Sequence, residues 1–347
     1  MYPALAVHDV LTSRVPDVKT LWVGGEGGME ESLVKRHGIP FQSIPAAGVH
    51  GVSPMVLPRN LLMLARGVLA SYGILNDFEP EVLFFTGGYV AAPMAFAGRS
   101  YPSLLYVPDI EPGMAIKSIA RFADIIAVTT EQSQKFFNKK VYESGYPLRP
   151  DLALWDRQTA HNHLGISGKL PVLLVFGGSK GAHSINMAVL NNLRALLETC
   201  EVIHLSGDGD WQLVQSMREQ LPVALSARYH AMEYLHEMGA ALAAADLVVS
   251  RAGASALGEF PLFALPAILV PYPHAWRYQK VNADYLTRRG AAVMLEDHRL
   301  NEELLVTLTV LLQNPNKLKA MRAAMFELSH PRAAEKIASA LLELAGE

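Results

Sequence analysis

Short apolar runs recur along the chain, separated by segments with helical spacing. The strand candidates include TLWVGG, EVLFFTGG, SLLYVPD, IIAVTT, VLLVFGG, EVIHLSG, LVVSRAG and AILVPYP. Most are apolar at consecutive rather than alternate positions, which is typical of parallel strands covered on both faces. Strands that alternate with helices of about a dozen residues indicate βαβ units with right-handed crossovers. The pattern predicts an α/β protein built from parallel sheets.

The domain organisation follows from length and from one shift in composition. A chain of 347 residues exceeds what a single hydrophobic core usually serves. Proline, glycine and polar residues gather in residues 145–171, where the pattern contains no strong strand. We place a linker there and predict two α/β domains, 1–150 and 151–330, with a cleft between them. Residues 331–347 form an Ala- and Leu-rich helix that we expect to pack back on the N-terminal domain.

The balance of charged residues and the lengths of the apolar runs exclude several classes of protein. Lys and Arg total 30 against 33 for Asp and Glu, so the chain has no basic excess with which to bind nucleic acid. A single cysteine fits a reducing cytoplasm. No apolar run reaches the roughly 18 residues of a membrane span, and the N-terminus lacks the features of a signal peptide. We expect a cytoplasmic protein, which leaves contact with a membrane surface open.

Glycine pairs end several of the predicted strands: Gly24-Gly25, Gly87-Gly88 and Gly177-Gly178. In open parallel sheets, ligands bind beyond the carboxyl ends of the strands, where glycine lets a phosphate approach the backbone amides. The other interpretation of each pair is a tight strand-to-helix turn without a ligand. The turn FGGSKGA has neither the glycine spacing of a dinucleotide site nor the Lys-Ser/Thr ending of a P-loop.

The second half contains a denser group of candidate ligands. VVSRAGASALGEF predicts a strand, a glycine turn and a helix that begins at Ala254-Ser255, whose first amides suit an anion. Glu259, one turn further, is placed to accept hydrogen bonds from vicinal hydroxyls such as those of a ribose, or else is a solvated helix carboxylate. In PYPHAWRYQKVNA, Gln279 and Asn282 follow a strand end, where their amides suit sugar hydroxyls.

These segments resemble a known family. FGGSKGAHSIN, SRAGASALGEF and PYPHAWRYQKVNADYLTRRGAA are similar, in this order, to the donor half of the MurG family within glycosyltransferase family 28. YPALAV, VKRHGIPF, TGGYVAAP and GYPLRPD are similar to its N-terminal half, so the resemblance covers essentially the whole chain. It implies the GT-B fold, two Rossmann-like parallel-sheet domains with an interdomain cleft.

The resemblance also implies a reaction. Family members move N-acetylglucosamine from UDP-N-acetylglucosamine to undecaprenyl-diphospho-N-acetylmuramyl-pentapeptide, which converts lipid I to lipid II in peptidoglycan synthesis. The enzyme would invert the anomeric centre, use no cofactor or metal, and work at the cytoplasmic face of the cell membrane as a peripheral protein. UDP-N-acetylglucosamine would lie on the C-terminal domain and the acceptor on the N-terminal one.

By position, the resemblance implies the residues that bind the donor: Arg149, Ser179, Leu235, Ala254, Ser255, Ala256, Leu257, Gly258, Glu259 and Gln279. Arg149 and Ser179 would contact the UDP portion, and the backbone near Leu235 the uracil. The acceptor diphosphate would lie at Gly87, Gly88 and Tyr89, with Asp109 beside it. Tyr278 stands where the family often has another glutamine.

The chain departs from the family pattern in two places. The family has a strand and a GGTGGH loop, with a histidine near the reaction centre, ahead of YPALAV, whereas this chain begins MYPALAV. We therefore expect an N-terminal domain that lacks its first strand, through a trimmed or misassigned start. The family's HEQN is replaced in LLYVPDIEPGMA, where Asp109 takes the place of the asparagine and Glu111 follows. These carboxylates are candidates for the general base, or else are turn carboxylates beside the prolines.

Two further segments invite a functional interpretation. Asp208-Gly209-Asp210 resembles the metal motif of other glycosyltransferases, but we expect a solvated turn there. Residues 54–75, PMVLPRNLLMLARGVLASYGIL, are apolar yet contain Arg59 and Arg66, which indicates either a membrane-interface helix or a core helix.

Three functions therefore stay open from the sequence. They are the lipid I transferase, a related UDP-sugar transferase with another acceptor, and a UDP-sugar-binding pseudoenzyme.

Overall fold

The structure, a computed structural model, describes residues 1–28, 30–48, 52–178 and 180–346. The chain divides into two units, one formed by Met1–Pro147 with Pro331–Glu347 and the other by Leu148–His330. Both contain parallel sheets with helical connections, and every strand pair found in the described residues is parallel. The α/β class predicted from the apolar runs is therefore confirmed.

The second unit is built on one six-stranded sheet. Its strands are β7 (Val172–Phe176), β8 (Glu201–Leu205), β9 (Tyr229–Met232), β10 (Leu247–Ser250), β11 (Ala267–Leu269) and β12 (Ala292–Met294). They lie in the order β12-β11-β10-β7-β8-β9. The chain works outward from β7 to β9 and then returns to the other side through β10, so the strand order reverses between β7 and β10. Such a switch point is where doubly wound sheets bind ligands.

Helices cover both faces of this sheet, as consecutive apolar strands require. They are α6 (Arg157–Leu164), α7 (His183–Asn191), α8 (Leu193–Thr199), α9 (Trp211–Glu219), α10 (Val223–Ser226), α11 (Met238–Ala244), α12 (Ala256–Leu262), α13 (Trp276–Arg288), α14 (Leu300–Leu312) and α15 (Pro315–Phe326). The central strands β7 and β10 contribute fully buried side chains to the core, among them Leu173, Val175, Leu247 and Val249.

The first unit contains two separate sheets. One consists of β1 (Trp22–Gly25) and β2 (Phe41–Ile44), and the other of β3 (Leu83–Phe85), β4 (Ser103–Val107), β5 (Ile125–Val128) and β6 (Val141–Glu143) in that order. Within the described residues, β1 pairs with β2 alone and β3 with β4 alone.

The helices of this unit are α1 (Tyr2–Arg14), α2 (Glu30–Arg36), α3 (Leu57–Phe78), α4 (Ala91–Ala97), α5 (Met114–Ile119) and the chain's last helix, α16 (Ala333–Ala345). α16 lies against α1, and the Arg14 guanidinium donates a hydrogen bond to Ser339 Oγ at 2.7 Å. The last helix is thus part of the first unit although it follows the second in sequence.

α3 buries few of its side chains and leaves several of its leucines exposed. Its buried positions are Asn60, Gly67, Ser71 and Leu75, whereas Leu62 and Leu69 are 61% and 72% exposed. A Cβ on Gly67 would lie 2.3 Å from the carbonyl oxygen of Pro45. The backbone of α3 therefore lies directly against the segment that follows β2, and a side chain at position 67 would separate them.

Two glycines of α3 should respond oppositely to alanine. Gly67→Ala should lower the free energy of unfolding of the first unit by about 1–3 kcal/mol, because the added methyl overlaps the Pro45 carbonyl. Gly73→Ala, where a Cβ meets nothing within 4 Å, should raise it by about 0.5–1 kcal/mol through helix propensity. Urea unfolding of both variants measures the difference. Equal stability would contradict the close packing of α3.

Candidate functional site

The turn after β7 is shaped by glycines that either have a positive φ angle or have no room for a side chain. Gly178 and Gly181 have φ angles of +92° and +75°, in the region that favours glycine. A Cβ on Gly177 would lie 2.3 Å from the amide nitrogen of Ala182, and one on Gly181 would lie 2.1 Å from the carbonyl oxygen of Ser206. The turn is therefore pressed against the loop that follows β8. Ser179, predicted to contact UDP, lies outside the described residues.

The loop after β10 leaves the sheet beside this turn, because β10 and β7 are neighbouring parallel strands. Its first residue is Arg251, whose guanidinium donates a 2.8 Å hydrogen bond to Ser184 Oγ in α7 and a second bond to the carboxylate of Asp297. Asp297 follows β12. The Arg251 side chain therefore connects the segments that follow β7, β10 and β12. The sequence prediction did not include Arg251; its place between a buried strand and a glycine turn was the available signal.

The helix after this loop starts slightly later than predicted. α12 begins at Ala256 rather than at Ala254-Ser255. The amides of Ala256 and Leu257 donate to the carbonyl oxygens of Gly253 and Ala254, at 3.1 and 3.0 Å, and the amides of Gly258 and Glu259 donate to Ser255. The backbone amides of Ala256 to Glu259, which were predicted to contact an anion, therefore already donate hydrogen bonds within the turn. Among the described residues, no hydrogen-bond acceptor is found for the amides of residues 253–255.

Glu259 is a partly buried carboxyl rather than a solvated one. Burial raises the pKa of Glu259 to about 7, while the charge of Arg149 and a hydrogen bond with Ser255 act in the opposite direction. Arg149 lies 3.6 Å from Asp151, between Nη1 and Oδ2. Two residues predicted to bind the same ligand, Arg149 and Glu259, are therefore close enough to interact electrostatically, although they are far apart in sequence.

The two amides predicted to contact a sugar have different surroundings. Gln279, in the first turn of α13, is partly buried, and its Oε1 accepts a 2.8 Å hydrogen bond from the Tyr272 amide. Asn282 is fully buried, and its Nδ2 donates to the carbonyl oxygen of Ala252 at 3.1 Å. The prediction of a sugar contact at Asn282 is therefore wrong, because this side chain supports the backbone of the loop after β10.

Leu235 follows β9 and is partly buried. It lines a cavity of about 290 Å³ at the β9 side of the sheet, together with His163, Leu164, Arg218, His230, Ala231 and Met232.

In the first unit, the predicted acceptor residues follow β3. Gly87 and Gly88 have φ angles of +96° and +85°, and a Cβ on Gly87 would lie 2.9 Å from Ile116 Cγ1. Tyr89 is 54% exposed. The turn therefore presents backbone and one aromatic ring at the carboxyl end of its strand.

The loop after β4 contains Asp109, partly buried, and Glu111, buried. Buried hydroxyls hold its backbone: Thr129 Oγ1 donates to the Pro108 carbonyl at 2.8 Å, and Ser133 Oγ donates to the Ile110 carbonyl at 2.9 Å. Because the Thr129 proton is used in this way, the Tyr106 hydroxyl, 2.8 Å away, donates to Thr129. The loop with the candidate carboxylates is thus fixed on its inner side.

In the Asp208-Gly209-Asp210 turn, Asp208 and Gly209 are exposed, as predicted for a solvated turn, whereas Asp210 is partly buried. Its side chain is 13% exposed, and it accepts a 2.7 Å hydrogen bond from Asn186 Nδ2. No group of three or more His, Cys, Asp or Glu in the part of the chain that the structure describes is arranged to hold a metal ion.

Comparison with solved structures identifies the class of fold. The crystal structure of Acinetobacter baumannii MurG superimposes with a TM-score of 0.78, covering 99% of this chain and 95% of that one at 24% identity. The parallel-sheet architecture is therefore the GT-B fold of glycosyltransferases. The models of the glycosyltransferase family 28 C-terminal and N-terminal domains match residues 172–337 and 1–128. The chain belongs to glycosyltransferase family 28.

Curated relatives match along nearly the whole chain. A protein from Desulforudis audaxviator is 37% identical over 358 residues, covering 100% of this chain and 96% of its own length. One from Roseiflexus sp. is 37% identical over 400 residues, covering 97% and 91%. Both are named UDP-N-acetylglucosamine--N-acetylmuramyl-(pentapeptide) pyrophosphoryl-undecaprenol N-acetylglucosamine transferase.

Proposed function

We propose that this glycosyltransferase moves N-acetylglucosamine from UDP-N-acetylglucosamine to undecaprenyl-diphospho-N-acetylmuramyl-pentapeptide, converting lipid I to lipid II with inversion at the anomeric carbon. The observation that carries the proposal is the similarity over almost the full length to relatives whose names state this transfer. The reaction belongs to peptidoglycan and cell-wall synthesis, and through it to cell shape, cell division and the cell cycle.

The second unit supplies the donor contacts in this proposal. Backbone amides of residues 177–182 and 253–255, at the ends of two neighbouring strands, bind the diphosphate, apart from the Gly181 amide, which donates to the Gly178 carbonyl. Glu259 accepts from the ribose hydroxyls, Arg149 and Ser179 contact UDP, the backbone at Leu235 contacts the uracil, and Gln279 donates from its amide to the sugar. Ala256, Leu257 and Gly258 shape the helix start without donating to the phosphates.

The chemistry is a direct displacement. The acceptor hydroxyl oxygen bonds to the anomeric carbon, the bond from that carbon to the β-phosphate oxygen breaks, and UDP leaves with the electron pair. Amides already aimed at the diphosphate stabilise the charge that develops there, so no metal ion or cofactor is required. Asp109 accepts the hydroxyl proton, with Glu111 buried two residues away, and the turn of Gly87, Gly88 and Tyr89 binds the acceptor diphosphate.

Transfer of labelled N-acetylglucosamine from the UDP-sugar to a lipid I analogue tests the function directly. We expect turnover by the full chain, and a loss of about 10²–10⁴ in kcat for Asp109→Asn, because the amide cannot accept the proton. The control is binding of UDP-N-acetylglucosamine by calorimetry, which Asp109→Asn should leave unchanged. Donor binding without transfer by the unmodified chain would instead support a sugar-nucleotide-binding pseudoenzyme, and transfer to a different acceptor a related transferase.

Donor binding should depend on pH through Glu259. With a pKa near 7, the carboxyl changes from mostly neutral at pH 6 to mostly ionised at pH 8, and only the carboxylate accepts from two hydroxyls. Affinity for UDP-N-acetylglucosamine should therefore rise about tenfold over this range. The doubly esterified diphosphate of this ligand does not titrate there, so the change reports on the protein.

Glu259→Gln should bind weakly and equally at both pH values, since it has no proton to lose. Glu302→Gln, a change of an exposed carboxylate in α14, should keep the tenfold dependence. A pH dependence that survives in Glu259→Gln would rule out this residue as its source.

We also propose that α3 holds the enzyme at the cytoplasmic face of the cell membrane as a peripheral protein. Leu61, Leu62 and Leu69 are exposed on one side of the helix, and Met55 just before it is 90% exposed. Arg59 and Arg66 are exposed on the same helix and suit anionic headgroups. Among the described residues, α3 is the one helix long and apolar enough to be a candidate membrane span, but its small buried face is packed against protein.

Sedimentation with phosphatidylglycerol vesicles tests the membrane contact. Leu62→Glu combined with Leu69→Glu should lower vesicle binding at least about tenfold, because two leucines lose their burial in lipid and gain like charge to the headgroups. The matched control is Val306→Glu with Val310→Glu, two exposed apolar residues of α14 in the second unit, which should bind like the unmodified chain. Equal loss in both pairs would contradict a specific role for α3.

A further inference from the structure

A chain of polar side chains crosses the interior of the second unit towards the glycine turn. Tyr229 Oη lies 2.7 Å from His204 Nδ1, and His204 Nε2 lies 3.0 Å from Asn186 Oδ1. Asn186 Nδ2 then donates to the Ser206 carbonyl at 2.8 Å and to Asp210 Oδ2 at 2.7 Å. Tyr229, His204 and Asn186 are each at most 1% exposed.

The hydrogen bonds have a single consistent direction. Because Asn186 Nδ2 donates to two oxygens, its Oδ1 is the acceptor that faces His204, and His204 Nε2 must carry the proton. His204 Nδ1 is then an acceptor, and the Tyr229 hydroxyl donates to it. Burial lowers the pKa of His204 to about 4, so the ring is neutral at pH 7, with one donor and one acceptor, both used.

The hydrogen-bonded side chains end where the glycine turn meets the segment after β8. Asn186 is in the first turn of α7, immediately after the glycine turn. Its backbone amide donates to the Ala182 carbonyl at 2.9 Å. Ser206 and Asp210 belong to the segment after β8. Gly181 approaches the Ser206 carbonyl so closely that a Cβ would lie 2.1 Å from it. The Asn186 bonds therefore join the same two segments that meet at Gly181.

We propose that Asn186, His204, Tyr229 and Asp210 are positioning residues that set the place of the glycine-turn amides, and through them the affinity for the sugar-nucleotide diphosphate. They touch no substrate, and the proposal rests on the donor role given above to residues 177–182. Burying several polar side chains in a core costs free energy unless each of them is hydrogen-bonded. Here each side chain is hydrogen-bonded to the next one in the series. Asp210, exposed enough to be changed without opening the core, is the member at which the chain can be tested.

The test compares two changes at Asp210 with a control at the opposite end of the strands of the same sheet. Asp210→Ala removes the acceptor of Asn186 Nδ2 and also that of His183, whose Nδ1 lies 2.7 Å from Asp210 Oδ1. Asp210→Asn keeps a carbonyl oxygen that can accept from Asn186. Ser167→Ala removes a 2.5 Å hydrogen bond to Glu201, which is buried at the start of β8, away from the turn. The control thus removes a partly buried hydrogen bond to a carboxylate, as Asp210→Ala does, without affecting the proposed chain.

Amide hydrogen exchange at Gly181 and Ala182, measured without ligand, reports on the turn itself. We expect exchange to quicken about tenfold in Asp210→Ala, because Asn186 loses its charged acceptor, and to stay near the unmodified rate in Asp210→Asn and Ser167→Ala. The affinity for UDP-N-acetylglucosamine should fall about tenfold in Asp210→Ala alone. Nitrogen-15 NMR of His204 should show the Nε2-protonated neutral ring.

Unchanged exchange and affinity in Asp210→Ala, or the Nδ1-protonated ring, would overturn the positioning role. Failure of the donor role would look different. If the unmodified protein binds no UDP-sugar, the proposed function is overturned. The exchange rates at Gly181 and Ala182 would still decide whether the hydrogen-bonded side chains hold the turn.

Discussion

The parallel pairing of β7 with β10 is the constraint on which the candidate donor site depends. Phe176 lies opposite Ser250 in this pair, so the two strands end at the same level and their loops leave the sheet side by side. Arg251 can then reach Ser184 across the two loops. Since backbone amides at strand ends have little affinity for a diphosphate one at a time, bringing two sets together is what turns two ordinary turns into a candidate site.

Every strand that the sequence misses lies at the edge of a sheet, although the edge strands β1 and β3 are among those it predicts. The predicted ones include the central strands β4, β5, β7, β8, β10 and β11, whose consecutive apolar residues reflect burial on both faces. The missed strands are β2 (FQSI), β6 (VYE), β9 (YHAM) and β12 (AVM), each at the edge of its sheet. An edge strand has a neighbour on one side only, so polar residues can interrupt its apolar pattern, as they do in β2, β6 and β9.

The features of the candidate site also divide into those that the sequence predicts and those that it does not. The glycine turns and the carboxyl of Glu259 could be predicted because they depend on local backbone conformation and on a helix start, which neighbouring residues determine. Asn282 was predicted as a sugar ligand, but its surroundings depend on how α13 packs against the loop after β10, which the spacing in PYPHAWRYQKVNA does not contain. The bond between His204 and Tyr229 likewise exists because β8 pairs with β9, and β9 was not predicted. Long-range pairing, rather than residue type, is what the sequence leaves undetermined.

The central claim is that the turns after β7 and β10 bind one diphosphate together. A crystal structure of the full chain with UDP-N-acetylglucosamine measures this most directly, through the distances from the diphosphate oxygens to the amide nitrogens of residues 177–182 and 253–255. Our account predicts distances of about 2.7–3.2 Å to amides of both turns. A diphosphate bound to only one turn, or bound away from the ends of β7 and β10, would contradict it.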